Sequence, residues 1–152
     1  MTERLAWVKA APGAYEAMSG LERYAKANLD PLLFELVKLR ASYLNGCAFC
    51  VDMHAYDALK GGEQLQRILL VAVWREAEHL YTAKERAALA LTEEVTTLSG
   101  NGGRGVSDEV WAAAAAEFDD TELTNLLTAI ATINAWNRFA VSTRMAIPTR
   151  TA

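Results

Sequence analysis

The sequence predicts an all-α fold, a single-domain helical bundle of about six to seven helices. Three observations carry the prediction. Apolar residues recur every three or four positions along nearly the whole chain, which is the period of an amphipathic helix. No stretch keeps the strict apolar–polar alternation of a half-buried strand. The length, 152 residues of which 52% are hydrophobic, suits one domain over 1–152 with a core of its own.

The elements follow in order. Pro12 stands near the start of a first helix over about 12–27, where a fixed φ and a missing N–H do no harm. Ala27-Asn-Leu-Asp-Pro31 is a stop and a restart, with Asp30 as N-cap and Pro31 as first helical residue. The second helix, from Pro31 to about Leu44, carries Leu32, Leu33, Leu36, Val37, Leu39 and Leu44 and is broken by Asn45-Gly46. A third runs from about Cys47 to Leu59, capped by Asn45 and stopped by Gly61-Gly62. A fourth covers about Glu63–Val73, and Trp74–Tyr81 reads as a connector with bulky anchors. Thr82 and Glu85 have capping-box spacing and open a fifth helix whose stripe includes Leu89, Val95 and Leu98.

The glycine-rich run Ser99–Gly105 lacks the Lys-Ser/Thr ending of a phosphate loop and follows no strand, so it reads as a connector. Ser107 caps an alanine-rich sixth helix through about Phe118. Asp119–Glu122 opens a long seventh through about Met145, before Pro148. Leu123, Leu126, Leu127, Ile130, Ile133, Trp136, Phe139, Ala140 and Val141 spread over more than one stripe of that helix. A helix apolar nearly all round needs cover on several sides, and a closed homo-oligomer would supply it.

Charge narrows the function. Fifteen Lys+Arg against 19 Asp+Glu give a net charge of −4, which counts against a nucleic-acid partner. No apolar run approaches the ~18 residues of a membrane span, and the N-terminal residues lack the apolar core of a signal peptide. A cytoplasmic location, where thiols stay reduced unless they are catalytic or bind metal, is the expectation.

The two cysteines, Cys47 and Cys50, form a CxxC pair, and His54 follows four residues later. Two cysteines placed at random in such a chain would fall three apart only about once in 80 tries. On a helix all three side chains fall within an arc of roughly 60°. Unpaired N–H groups at a helix start favour a thiolate, and a histidine at i+4 can take its proton. The second thiol can resolve a sulfenic acid into a disulfide. Three other readings compete: two buried cysteines acting as small hydrophobes, a structural metal site at Cys47, Cys50 and His54, and a thioredoxin-type pair. Structural zinc wants four ligands, and the one further histidine, His79, lies on another segment. The thioredoxin reading needs an α/β fold that the chain does not predict.

The run Glu35-x11-Cys47-Ala-Phe-Cys50-x3-His54 resembles the core motif of the AhpD-like alkylhydroperoxidases, within the carboxymuconolactone decarboxylase superfamily. Glu35–Ser42 and Ile133-Asn-Ala-Trp-Asn-Arg138 support the likeness, which covers about residues 5–148. The resemblance implies an all-helical fold, a homotrimer or homohexamer, and thiol-dependent reduction of a peroxide substrate with no cofactor. It implies that Cys50 attacks the peroxide, that Cys47 resolves it, and that Glu35 and His54 relay protons. It also implies a dithiol reductant, lipoamide-linked in characterised relatives. Phe49 stands where the best-studied members carry a histidine. The decarboxylase branch does not use a CxxC pair. Without the resemblance, Glu35 beside Phe34 and Leu36 reads as a solvated or paired surface carboxylate. A non-enzymatic oligomeric redox sensor or scaffold is the alternative from another class.

Other residues have plainer readings. His79 beside Glu76 and Glu78 reads as a solvated histidine, and Lys84-Glu85-Arg86 as a solvated helix face. Trp7, Trp74 and Trp111 read as core or interface anchors. The polar string Asn134–Arg138 is either a set of buried amides capping loops, or part of an inter-subunit network or active-site wall.

Overall fold

A computed structural model describes residues 2–100 and 102–150. Among the described residues there are eight α-helices, a stretch of 3-10 turns and no strand. The eighth helix beyond the expected count is α1, Trp7–Ala10, one turn too short to show a periodicity. Helices α2 (Pro12–Ala27) and α3 (Pro31–Leu44) occupy the predicted spans. The Asp30 carboxylate accepts from the backbone N–H groups of Leu32 and Leu33, at 3.0 and 2.9 Å. It thereby satisfies two of the donors that a helix start leaves unpaired.

Helix α3 is the central element. Every residue from Leu33 to Leu39 is buried, Glu35 and Lys38 included. It packs on α4 (Ala48–Lys60), on α6 (Ala83–Thr96) and on α8 (Asp120–Thr143). Leu33 and Val37 share a core with Ala88, Leu91, Leu126 and Ile130, while Leu36 and Leu39 face Trp74 and Leu89 in a second one.

Asn45 is not the N-cap of the cysteine helix. It is the C-cap of α3, its N–H bonded to the Ala41 carbonyl at 3.0 Å, and Gly46 turns the chain with φ 64°. That left-handed turn suits glycine. It brings Cys47 to the cap position of α4, where Sγ accepts from the Cys50 N–H at 3.3 Å.

The expected fourth helix is shorter than its periodicity suggests. Helix α5 covers Leu65–Leu70 and passes into 3-10 turns over Val71–Leu80, with non-helical dihedrals at Val73 and Ala77. The expected connector is therefore tightly wound. The Arg67 guanidinium donates to the Leu80 carbonyl, and the Tyr81 hydroxyl donates to the Arg67 carbonyl at 2.7 Å. Trp74 is buried, its indole N–H donating to Glu93 at 2.7 Å, and His79 is exposed.

Both partners of the predicted capping box at α6 are in place, Glu85 N–H to Thr82 Oγ1 and Thr82 N–H to Glu85 Oε2. The helix ends at Thr96, so Leu98 leaves the predicted stripe and is exposed. Lys84-Glu85-Arg86 is half-buried and partnered, not a solvated face. Glu85 receives Arg67, Arg86 donates to the Tyr81 carbonyl at 2.6 Å and Lys84 pairs with Glu122.

Of the glycine-rich connector, Asn101 lies outside the described residues, while Gly102, Gly103 and Gly105 take positive φ. Helix α7 (Asp108–Glu117) is capped by Ser107 as expected. Trp111 is exposed rather than a core anchor, because α7 turns only Ala114 fully inward; Trp7 and Trp74 are buried. Helix α8 stops at Thr143, two residues before the expected Met145, because Arg144 takes the left-handed conformation with φ 56°. Among the described residues, no helix is long and apolar enough to cross a membrane.

Candidate active site

The start of α4 and the middle of α3 bring the predicted site residues together. Cys47 and Cys50 are joined by a disulfide, with Cα atoms 5.4 Å apart and both residues buried. One turn further along α4, His54 is also buried, and its Nδ1 lies 2.7 Å from Glu35 Oε2 on α3. Glu35 is therefore not the surface carboxylate its neighbours would suggest. With Nδ1–H donating to this carboxylate, the lone pair of the neutral ring lies on Nε2. Nε2 is buried and has no hydrogen-bond partner among the described residues. Burial pulls the His54 pKa below the ordinary histidine range, against the pull of Glu35. The imidazole is therefore neutral near neutral pH, with the Nε2 lone pair free to accept a proton.

That shift has a consequence for stability. Between the lowered folded value and the ordinary one of about 6.5, the unfolded chain binds a proton that the folded chain lacks. The His54 contribution is complete above about pH 6.5 and is lost as pH falls toward the folded value, by at most about 1.4 kcal/mol per pH unit. The stability difference between wild type and His54→Gln should therefore shrink or reverse on acidification. Urea midpoints at about pH 7.5 and about pH 5 test this; a constant difference would rule the shift out.

The two sulfurs face different surroundings. Cys50 lines a cavity of about 280 Å³, walled by Trp7, Tyr15, Phe49 and Trp136. Cys47 lines a more open groove with Gly46, Arg144 and Ile147, and Phe49, Ala140 and Met145 border both spaces. The aromatic wall is one cluster: the Trp7 ring lies 5.8 Å from Trp136 and 5.9 Å from Tyr15, centroid to centroid. It joins α1 and α2 to α8 over the disulfide.

Amides hold the turn before Cys47. Asn45 Nδ2 donates to the side-chain oxygens of Asn134 and Asn137, each at 2.9 Å. Asn137 donates to Ser42 Oγ at 3.1 Å and Asn134 to Thr96 Oγ1 at 3.0 Å. The Asn134–Arg138 string thus serves two purposes: its amides brace the turn, and Trp136 walls the cavity.

A metal at Cys47, Cys50 and His54 would find both sulfurs already bonded to each other. Among the described residues, the groups within reach of one ion are Glu35, His54 and Asp57, with ligand atoms within 4.8 Å of one another. The first two of these are already hydrogen-bonded.

The cavity also holds a pair that the motif did not disclose. Lys38 and Glu22 line it, and the ammonium is bonded to the Glu22 carboxylate. The Trp136 indole N–H donates to the other Glu22 oxygen at 3.0 Å. The available signal was a lysine in the apolar register of α3, between Val37 and Leu39.

The model of the carboxymuconolactone decarboxylase family matches residues 10–94. The uncharacterized protein YdfG of Bacillus subtilis strain 168 is 36% identical over 143 residues, covering 93% of this chain and 95% of its own. A crystal structure from Agrobacterium tumefaciens, of a protein of unknown function with a suggested antioxidant-defence role as AhpD, superposes with TM-score 0.92. It is 39% identical, over 98% of this chain and 100% of that one. The debrominase Bmp8, solved with 2,3,4-tribromopyrrole, shares the fold at TM-score 0.79 and 16% identity, over 93% of this chain and 74% of its own.

Proposed function

Because the chain belongs to the carboxymuconolactone decarboxylase family, we propose that it is an AhpD-like dithiol peroxidase. The observation that supports this best is the Cys47–Cys50 disulfide, with Cys50 on an aromatic-walled cavity and the His54–Glu35 pair one helical turn away.

The reaction starts from the dithiol. His54 Nε2 takes the proton of Cys50, and Glu35 holds the imidazole by Nδ1 and stabilises its charge as it forms. The helix start also favours the thiolate. Cys50 Sγ attacks the outer peroxide oxygen, the O–O bond breaks, and the sulfur becomes a sulfenic acid. Cys47 then attacks Cys50 Sγ, expelling water and closing the disulfide. A small dithiol of the lipoamide type restores both thiols by exchange, entering from the groove on the Cys47 side.

Mild peroxide should convert the reduced protein to one intramolecular disulfide, two hydrogens lighter by mass. Peroxide should also be consumed continuously when dihydrolipoamide is present. Thiols inert to peroxide would sink the proposal. A single oxidation without turnover under any dithiol would favour a redox sensor.

A further inference from the structure

The mechanism above does not assign the group that hands a proton to the leaving oxygen. When the O–O bond breaks, the departing alkoxide is strongly basic and needs a proton. Phe49, next to Cys50 on the cavity wall, has none to give.

Lys38 is placed for that step. It lines the same cavity as Cys50, and its side chain is only 1% exposed. A buried ammonium is costly unless partnered. Here Glu22, from α2, is the partner, fixed in turn by the Trp136 indole. The ammonium also sits over the Phe34 ring, 4.5 Å from its centroid. Other charged groups act on it as well: Glu35 one turn back on α3, His54 on α4 and Lys26 on α2. Its neighbours on α3, Val37 and Leu39, are core residues, so Lys38 brings a charge into an otherwise apolar stretch.

We propose that Lys38 is the general acid of the peroxide-cleaving step, donating a proton from Nζ to the leaving alkoxide while Glu22 and Trp136 hold it in the cavity. This rests on the peroxidase reading above. In the step, the Cys50 sulfur forms a bond to the outer oxygen and is oxidised, and the O–O bond breaks. The R–O fragment leaves with the bonding pair, which is its reduction, and the Lys38 proton then turns the alkoxide into the alcohol. The proton that His54 took from Cys50 replaces the one Lys38 gave, so thiol plus hydroperoxide yields sulfenic acid plus alcohol with nothing left over. Burial lowers the Lys38 pKa below the ordinary lysine range, and an ammonium so placed gives up its proton more readily.

The test exploits the leaving group. Reduced wild type, Lys38→Met and Lys38→Arg are mixed rapidly with tert-butyl hydroperoxide or with peracetic acid, and Cys50 oxidation is followed. The first peroxide releases a strongly basic alkoxide, the second a carboxylate that needs no proton. Lys38→Met should be slower with the alkyl hydroperoxide by ~10²–10⁴-fold, the usual worth of a general acid. With the peracid it should differ by less than about tenfold, since no such acid is needed there. Lys38→Arg keeps the ion pair with Glu22, and so the fold, but a guanidinium does not deprotonate. It should share the selective loss, and it carries the test if the methionine variant does not fold. Equal slowing with both peroxides, or none with either, would overturn the assignment of Lys38 and leave the peroxidase reading intact. Wild type inert to both would overturn the two together.

Discussion

Cys50→Ser should lower peroxide turnover by on the order of 10³-fold or more, to the background of the buffer. A loss of that size is typical when an enzyme loses its nucleophile. The reason is the chemistry of the atom, since serine preserves shape and burial. A thiol near pKa 8.5 yields a useful fraction of thiolate once a helix start and an imidazole favour it. A serine hydroxyl does not, and oxygen is a poor nucleophile toward peroxide oxygen. Cys47→Ser provides the contrast. Its Cys50 should still react once, giving a stable sulfenic acid that a dimedone-type probe captures, and then stall. Steady-state peroxide consumption and intact mass separate the two variants. Sustained turnover by Cys50→Ser would mean that the chemistry lies elsewhere.

His54→Gln should cost the next largest factor, ~10²–10⁴ in the rate of Cys50 oxidation at neutral pH. Glutamine can keep a bond to Glu35 from its amide but offers no basic nitrogen. The loss should therefore be largest near neutral pH and shrink as pH rises toward the intrinsic thiol pKa, where hydroxide does the work of the base. Alkylation of reduced Cys50 by iodoacetamide across pH gives the same information without a peroxide: the thiol pKa should rise in the variant. An unchanged alkylation profile would reduce His54 to a packing residue.

The sequence disclosed those parts of the fold that local chemistry determines. Asp30-Pro31, Thr82 with Glu85, and Ser107 each satisfy helix-start donors within three residues, so their helices were legible from short strings. The turns over Val71–Leu80 were not, because they are held by Arg67 and Tyr81 from outside the segment. The cap of α4 is Cys47 and not Asn45 for a related reason. Asn45 is a good capping residue by type, but its side chain is engaged by Asn134 and Asn137, some ninety positions away. Within the site, the CxxC-x3-His string was visible as one helix face. The partnership of Glu35 with His54 joins two helices, and only resemblance to a family anticipated it. Nothing local paired Lys38 with Glu22, since that contact depends on how α2 lies against α3.

The amide lattice around Asn45 bears on what a redox cycle asks of the backbone. A disulfide that clamps its own loop releases that loop on reduction, and each turnover then includes a folding step. Here Asn45, Ser42, Asn134 and Asn137 hold the turn through side chains that neither gain nor lose electrons. On this bracing, the sulfurs should part and rejoin with little movement of their Cα atoms, 5.4 Å apart in the disulfide. The oxidised and reduced forms should accordingly show similar amide hydrogen exchange over residues 42–50. The energy of the thiol–disulfide couple then goes into chemistry at sulfur, and little of it is dissipated in moving the chain.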